Sequence, residues 1–303
     1  MNDWSKTSQS GQWERINTVH FTDEAIRDLQ CFKSNAVNHK LAVWDPRTNG
    51  IRYLKELVHN LCTYLSSEEW ALLNNIEGRD LGNPYCVTFN GCKVCMDYLQ
   101  AIFEMQFISR NLSLDAAHVL EIGAGYGRTC HALLSNHQIA SYSIVDLGKA
   151  LQLSRCYLSS VLNPELFKKL RFIAAEDFES LHHSRFFLAI NIDSFSEMPE
   201  QTVHTYLSFV RERCDNLYVK NPVGKYSDPN FHTHCEGDES VRLALTSGML
   251  RDVIDIYDNG VVAEQKKRFI DAYRPGKNWH VVEESWARPW SFYWQALYRN
   301  KGI

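Results

Sequence analysis

The stretch Val119-Leu120-Glu121-Ile122-Gly123-Ala124-Gly125-Tyr126-Gly127-Arg128-Thr129 decides how the chain is read. An apolar run ends in three glycines at every second position, and a helical pattern follows. Glycine reaches positive φ at little cost and lets a ligand lie directly on the backbone. The start of a helix beyond the glycines offers free N–H groups to a polar or anionic ligand. The spacing is Glu-x-Gly-x-Gly-x-Gly, which is not the dinucleotide fingerprint Gly-x-Gly-x-x-Gly. Counted from Gly123 the sixth position is Arg128, and the third glycine arrives one residue early at Gly127. A carboxylate at the strand end has little use beside a pyrophosphate, whereas it can orient the turn and receive an ammonium group. Glu121, Gly123, Gly125, Tyr126, Gly127 and Arg128 are therefore the first cofactor-binding candidates. The bland alternative is a glycine-rich turn with no ligand, and the downstream context weighs against it.

A second apolar run, 141–145, ends in Asp146, 25 residues after Glu121. An acid at the end of the second strand of a βαβ unit can accept hydrogen bonds from both ribose hydroxyls. It can also cap the next helix, and the two roles are compatible. Beyond residue 111 strand-like runs at 118–122, 141–145, 170–174, 186–192 and 216–219 alternate with helical patterns at 127–137, 149–162 and 200–213. Such alternation predicts an α/β fold with a mostly parallel sheet and helices on both faces. The aromatic-rich segment 291–298 reads as a final edge strand.

The first 110 residues have a different texture. Residues 1–17 are polar and read as a loose arm. Helical spacing occurs at 22–33, 51–65, 66–73 and 93–110, with a loop around Gly78, Gly82 and Pro84. Cys92 and Cys95 form a lone Cys-x-x-Cys in what reads as a helix or its approach, where two buried thiols are favoured over zinc. The expected organisation is a mainly helical lid or substrate region over 1–110 and a cofactor-binding Rossmann-like domain over 111–303.

Composition narrows the function classes. The 303 residues are 45% hydrophobic and 22% charged, ordinary for a globular chain. A net charge of −4 supplies no global cationic field, so nucleic acid is not expected as a main partner. No run of about 18 apolar residues and no secretory leader is evident, so no membrane span is expected. Nine cysteines, an odd number, are simplest as reduced thiols in a cytoplasm.

With these residues in view the chain resembles the class I S-adenosylmethionine (AdoMet)-dependent methyltransferases over roughly 112–300. More narrowly it is similar to the sugar O-methyltransferases of the polyether-antibiotic type. The matching stretches are Leu120 to Arg128, Ile144-Val145-Asp146-Leu147, Ile190 to Met198 and Tyr218-Val219-Lys220-Asn221-Pro222, with Ser194-Phe195-Ser196-Glu197-Met198 the more specific string. The resemblance implies a Rossmann-like class I methyltransferase sheet, AdoMet as cofactor, and methyl transfer to a hydroxyl of a sugar or glycosylated metabolite in secondary metabolism. It also implies that an acid and an apolar residue after the third strand, here Asp177 and Phe178, meet the adenine. Two exposed loop acids, Glu176 and Asp177, are the alternative there.

The fourth strand delivers Asn191, assigned to the cofactor side, and then Asp193 and Glu197 to the carboxyl edge of the sheet, where ligands of open α/β sheets bind. An alcohol attacking a methyl group needs a base for its proton. Asp193 comes first and Glu197 second, although Glu197 can equally cap a helix starting near Pro199. His232 and His234 are the third choice. With Glu236 or Asp238 they also offer a weak divalent-metal reading, Mg²⁺ for example, although nothing else completes a ligand set. Trp279, Trp286, Trp290, Phe292, Tyr293 and Trp294 suit stacking on sugar C–H faces or a plain core. Arg268, Arg274, Lys277 and Arg288 suit an acceptor phosphate or carboxylate. The remaining readings are a methyltransferase for a non-sugar small molecule or peptide, a nicotinamide-dependent oxidoreductase, and a non-catalytic binding protein. A small-molecule acceptor is the expected partner, and homo-oligomerisation stays open.

Overall fold

The computed structural model describes residues 46–226 and 244–302. The expected arm at 1–17, the helix at 22–33, and His232, His234, Glu236 and Asp238 lie outside the described residues.

Helix α1 (Pro46–Thr63) and helix α2 (Ser67–Asn74) lead the chain. Ser66 starts α2 with a capping box: its hydroxyl accepts from Glu69 N at 3.1 Å while the Glu69 carboxylate accepts from Ser66 N at 2.7 Å. Strands β1 (Cys86–Phe89) and β2 (Cys92–Cys95) then form an antiparallel hairpin around Asn90 and Gly91, both at positive φ. Asn-Gly accommodates the two left-handed positions of a tight hairpin turn, which is why this pair closes it. The Cys92–Cys95 segment is therefore a strand rather than a helix. Helix α3 (Met96–Ser109) starts three residues later than the periodicity predicts.

The main sheet contains β3 (His118–Ile122), β4 (Ser141–Asp146), β5 (Leu170–Ala174), β6 (Phe186–Ile192), β7 (Cys214–Pro222), β8 (Trp279–Trp286) and β9 (Tyr293–Asn300). Its order is β5-β4-β3-β6-β7-β9-β8. The first five are parallel, and β9 runs antiparallel to both β7 and β8. The predicted last strand thus exists, but it sits inside the sheet. The edge is β8, which lacks a clear period in sequence. Between the strands run α4 (Arg128–Asn136), α5 (Gly148–Val161), the short α6 (Pro164–Phe167) and α7 (Glu200–Arg213), with α8 (Asn259–Glu264) and α9 (Lys266–Ala272) before β8.

Successive residues of a strand face opposite sides. Val119, Leu188, Tyr218 and Leu297 join one buried cluster, and their neighbours Leu120, Ala189, Val219 and Tyr298 join the other. The first cluster takes Val58 of α1, Leu99 of α3, Leu133 of α4 and Leu158 of α5. The second takes Val203 of α7, Val262 of α8 and Phe269 of α9. The architecture is a doubly wound Rossmann-like sheet with helices on both faces, and α1 to α3 share its first core.

Two capping expectations are corrected. Helix α5 has Leu147 at its N-cap and α7 has Pro199, each without a side-chain cap bond, so neither Asp146 nor Glu197 caps.

Candidate active site

A cleft of about 400 Å³ opens at the carboxyl ends of β3, β4 and β6. Its wall includes Glu121, Gly123, Gly125, Tyr126, Arg128, Asp146, Asp193 and Glu197 from the sequence candidates. Asp97 and Gln100 of α3, with Thr129 and Ser194, complete much of the remainder.

The three glycines do different work. Gly123 has φ 76°, and a Cβ there would collide with the Ser194 hydroxyl. Gly127 has φ 95°, and its Cβ would press on Leu158 of α5 at 2.8 Å, so this glycine permits close helix packing and does not itself line the cleft. Gly125 has φ 59°, and a Cβ there meets nothing within 4 Å, because it would project into open space. Its N–H donates to Asp146 Oδ2 at 2.9 Å, while Asp146 Oδ1 accepts from Leu147 N at 2.7 Å. The Asp146 carboxylate is thereby aimed, and each oxygen keeps acceptor capacity toward the cleft.

Glu121 is almost wholly buried and accepts from the Tyr142 hydroxyl at 2.8 Å. Burial pushes its carboxyl up to about 7, against the opposing pull of Tyr142 and Arg128. Tyr126 donates to Asp97 Oδ2 at 3.0 Å, and its ring stands edge-on to Tyr157. The Arg128 guanidinium is held by α3. It donates to the Asp97 carbonyl at 3.0 Å and to Glu104 at 2.8 and 3.1 Å.

Asp193 follows β6 with φ 65°, a backbone state that costs a non-glycine residue about 1–3 kcal/mol. The surroundings hold it there. Its N–H donates to the Lys220 carbonyl at 2.8 Å, and its own carbonyl accepts from Ser196 N at 3.0 Å and Ser196 Oγ at 2.6 Å. Its Oδ1 is buried with no hydrogen-bond partner among the described residues. Burial raises its pKa, while the Tyr293 hydroxyl and Lys220 lower it. Glu197 is more exposed, and burial and the negative charge of Asp193 raise its pKa.

Asn191 does not face the cleft. It is fully buried, donating to the Ile122 carbonyl at 3.0 Å and to Ser194 Oγ at 2.6 Å, and accepting from Asn221 Nδ2 at 2.9 Å. It ties the end of β6 to the end of β3. Phe178 is buried too, with Tyr206 and Phe209 at 4.8 and 4.7 Å between ring centroids. Asp177 borders a wider, separate depression of about 620 Å³ beside β5, lined by residues 171–173, 176, 177, 179 and 180. The glycine turn, the aimed Asp146 and the strained Asp193 converge on the smaller cleft.

Among the aromatic residues Trp279 and Trp294 are core. Trp290 donates to Gln100 Oε1 at 3.1 Å, beside the cleft. Arg268 pairs with Asp252, Arg274 with Asp271, and Arg288 lies over the Phe103 ring. No group of three metal-ligating side chains is present among the described residues. None of the described helices is long and apolar enough to cross a membrane.

Sequence reading missed Asp97, Gln100 and Glu104. They lie at i, i+3 and i+7 of one helix, a polar stripe along a largely apolar segment, and that stripe is the signal that finds them.

No family model matches the chain, and no curated protein matches it. Solved structures do match. The methyltransferase domain of bacterial Hen1 is 15% identical over 67% of this chain and 99% of its own, with a TM-score of 0.46. The pyocyanin biosynthetic protein PhzM is 14% identical over 91% of this chain and 75% of its own, at 0.45. The N,N-8-amino-8-demethyl-D-riboflavin dimethyltransferase RosA from Streptomyces davawensis is 13% identical over 65% and 53%, at 0.43. The strand order and the antiparallel β9 between β7 and β8 are those of a Rossmann-like class I methyltransferase fold.

Proposed function

We propose that the protein is an AdoMet-dependent O-methyltransferase whose acceptor is a hydroxyl of a sugar or glycosylated metabolite. The observation that carries this is the pairing of an open glycine cradle at Gly125 with a strained Asp193, whose Oδ1 has no hydrogen-bond partner among the described residues, across one cleft.

The residues present fit the cofactor. The space beyond Gly125 is what a Cβ would fill, Asp146 presents acceptor oxygens for ribose hydroxyls, and Glu121 at the strand end suits an ammonium group. When bound, AdoMet supplies an electrophilic methyl group on a sulfonium. The chain's own contribution is placement and proton handling. The Gly123–Gly125 backbone and Asp146 fix the donor, and the Asp193 carboxylate accepts the proton of the acceptor hydroxyl, with Glu197 next in line. Holding reactants in line supplies a large share of the rate in such displacements. Residues 1–110 act as the lid and substrate region and 111–303 as the cofactor domain. Asp97 and Gln100 of α3 support this division, since they bring the helical region to the cleft wall.

A screen with methyl-labelled AdoMet against nucleotide sugars, glycosides and small peptides tests the reading. Label transfer to a sugar hydroxyl is expected. Transfer only to peptides, or calorimetric binding of NAD in place of AdoMet, sinks it.

A further inference from the structure

Behind the cleft wall lies a buried ionic cluster that the proposed reaction does not use directly. Glu104 of α3 is 2% exposed and Lys220 of β7 is 1% exposed. Lys220 Nζ donates to Glu104 Oε1 at 2.8 Å and to Gln100 Oε1 at 3.0 Å. Glu104 also takes the Arg128 guanidinium, so one carboxylate holds two cations. A buried charge without compensation is strongly disfavoured. The trio carries a net positive charge, and Glu121 of the same wall is held toward neutrality by its burial. Asp193 is the neighbouring acid: its carboxylate meets the Tyr293 hydroxyl, its Oδ1 lacks a hydrogen-bond partner among the described residues, and its backbone N–H is on the Lys220 carbonyl.

We propose that Lys220 is a positioning residue for Asp193, and that Glu104 and Gln100 of α3 hold it in that role. The inference rests on the reading of Asp193 as the base for the acceptor hydroxyl. Lys220 acts in two ways. Its carbonyl fixes the Asp193 backbone in the left-handed state. Its ammonium, 5.7 Å from the centre of the Tyr293 ring, supplies a positive field that favours the charged carboxylate. Gln100 bridges Lys220 to Trp290, so the helical region sets both the base and an aromatic flank of the cleft.

Every charged or titratable group around Asp193 enters the forecast. Lys220 and Tyr218 come from β7, Tyr293 from β9, Glu104 from α3, Arg128 from α4, Tyr273 from the end of α9, and Glu197 from the loop after β6. Lys220 and Arg128 favour the ionised carboxylate, and Glu104 opposes it. Removing Lys220 or Glu104 therefore moves the Asp193 titration in opposite directions, a pattern that a packing defect does not produce.

The experiment is a ¹³C-carboxyl NMR titration of Asp193 in the full chain, with the pH profile of methyl transfer beside it. Lys220→Met should raise the Asp193 midpoint by about one pH unit. The acid limb of kcat should move with it, while KM for AdoMet stays near its wild-type value. The isosteric Glu104→Gln should lower the midpoint, and Lys220→Arg, which keeps the charge, should restore the wild-type titration. If Lys220→Met does not fold, Glu104→Gln and Lys220→Arg still decide the matter. A Glu104→Gln protein that is folded by circular dichroism, with the Asp193 titration unmoved, overturns the proposal. Titrations that move as stated in a protein that methylates no hydroxyl leave the coupling standing and remove the acceptor reading instead.

Discussion

Gly123 and Ser194 meet so closely that a Cβ on Gly123 would lie 2.1 Å from the serine hydroxyl oxygen. Ser194 Oγ donates to the Ile122 carbonyl at 3.0 Å and accepts from Asn191 Nδ2 at 2.6 Å. The turn after β3 and the turn after β6 are thus one hydrogen-bonded unit at the cleft wall.

Gly123→Ala therefore carries two penalties, the contact and a φ of 76°. The expected loss of stability is about 2 kcal/mol or more, read from the denaturation midpoint at constant m-value. An alanine variant as stable as the wild type would show that the two turns move apart freely.

Gly125 sits in the same motif with the opposite forecast. Its Cβ would project into open space, and Asn tolerates the left-handed φ of 59°. Gly125→Asn should fold normally yet lose AdoMet affinity by about tenfold or more, because the new side chain fills the cradle. Asp146→Ala should cost about 1–3 kcal/mol of binding through lost ribose hydrogen bonds. Calorimetry with AdoMet reads both, and unchanged affinity in both folded variants removes the cofactor assignment.

Much of the fold was legible because its signals are local. The strand–glycine–helix order placed β3 and α4, and α7 begins and ends where the period predicts, at Glu200 and Arg213. The Asn90-Gly91 turn was also readable, yet it was passed over because the Cys92–Cys95 run continues into an apolar helix and takes on its period. β8 escaped because residues 280–285 are half-buried on both faces, so the strand carries no alternation to read. In the site, motif reasoning found the cleft walls built from single turns. It misread Asn191, whose polar atoms are spent on joining β6 to β3, a relation between strands far apart in sequence. Lys220 and Glu104 meet across 116 positions of chain, and no spacing rule reaches that far.

Asp193→Asn keeps the shape of the side chain and removes its basicity. Turnover should fall by about 10²–10⁴-fold while AdoMet affinity stays near wild type. EDTA should leave the wild-type rate unchanged. If EDTA abolishes the rate and Mg²⁺ restores it, the metal reading of the segment with His232 and His234 takes precedence. A full rate in the Asn variant passes the role of base to Glu197.

Glu121 gives a pH-dependent prediction with a definite sign. Burial lifts its carboxyl from 4.5 to about 7, so the folded chain keeps a proton that the unfolded chain releases. Between those values the native state binds more protons, and stability falls as pH rises, by about 3 kcal/mol in all. His131 opposes this over part of the range. Burial pushes its imidazole down to about 4, so its share of stability is lost as pH falls from 6.5 toward that value. The two slopes overlap in the wild type, and the difference between wild type and Glu121→Gln isolates the glutamate. Gln at 121 still accepts from Tyr142 and has no charge to bury. The variant should match the wild type near pH 4.5 and exceed it in stability above pH 7. AdoMet binding should show the complement. An ammonium gains from the ionised carboxylate, so wild-type affinity should rise between about pH 5 and 7 and the variant's should stay flat. Denaturant midpoints and calorimetry over that range test both halves. Parallel stability curves for the two proteins would mean that Glu121 is ionised at neutral pH, its charge met by Arg128 despite the burial.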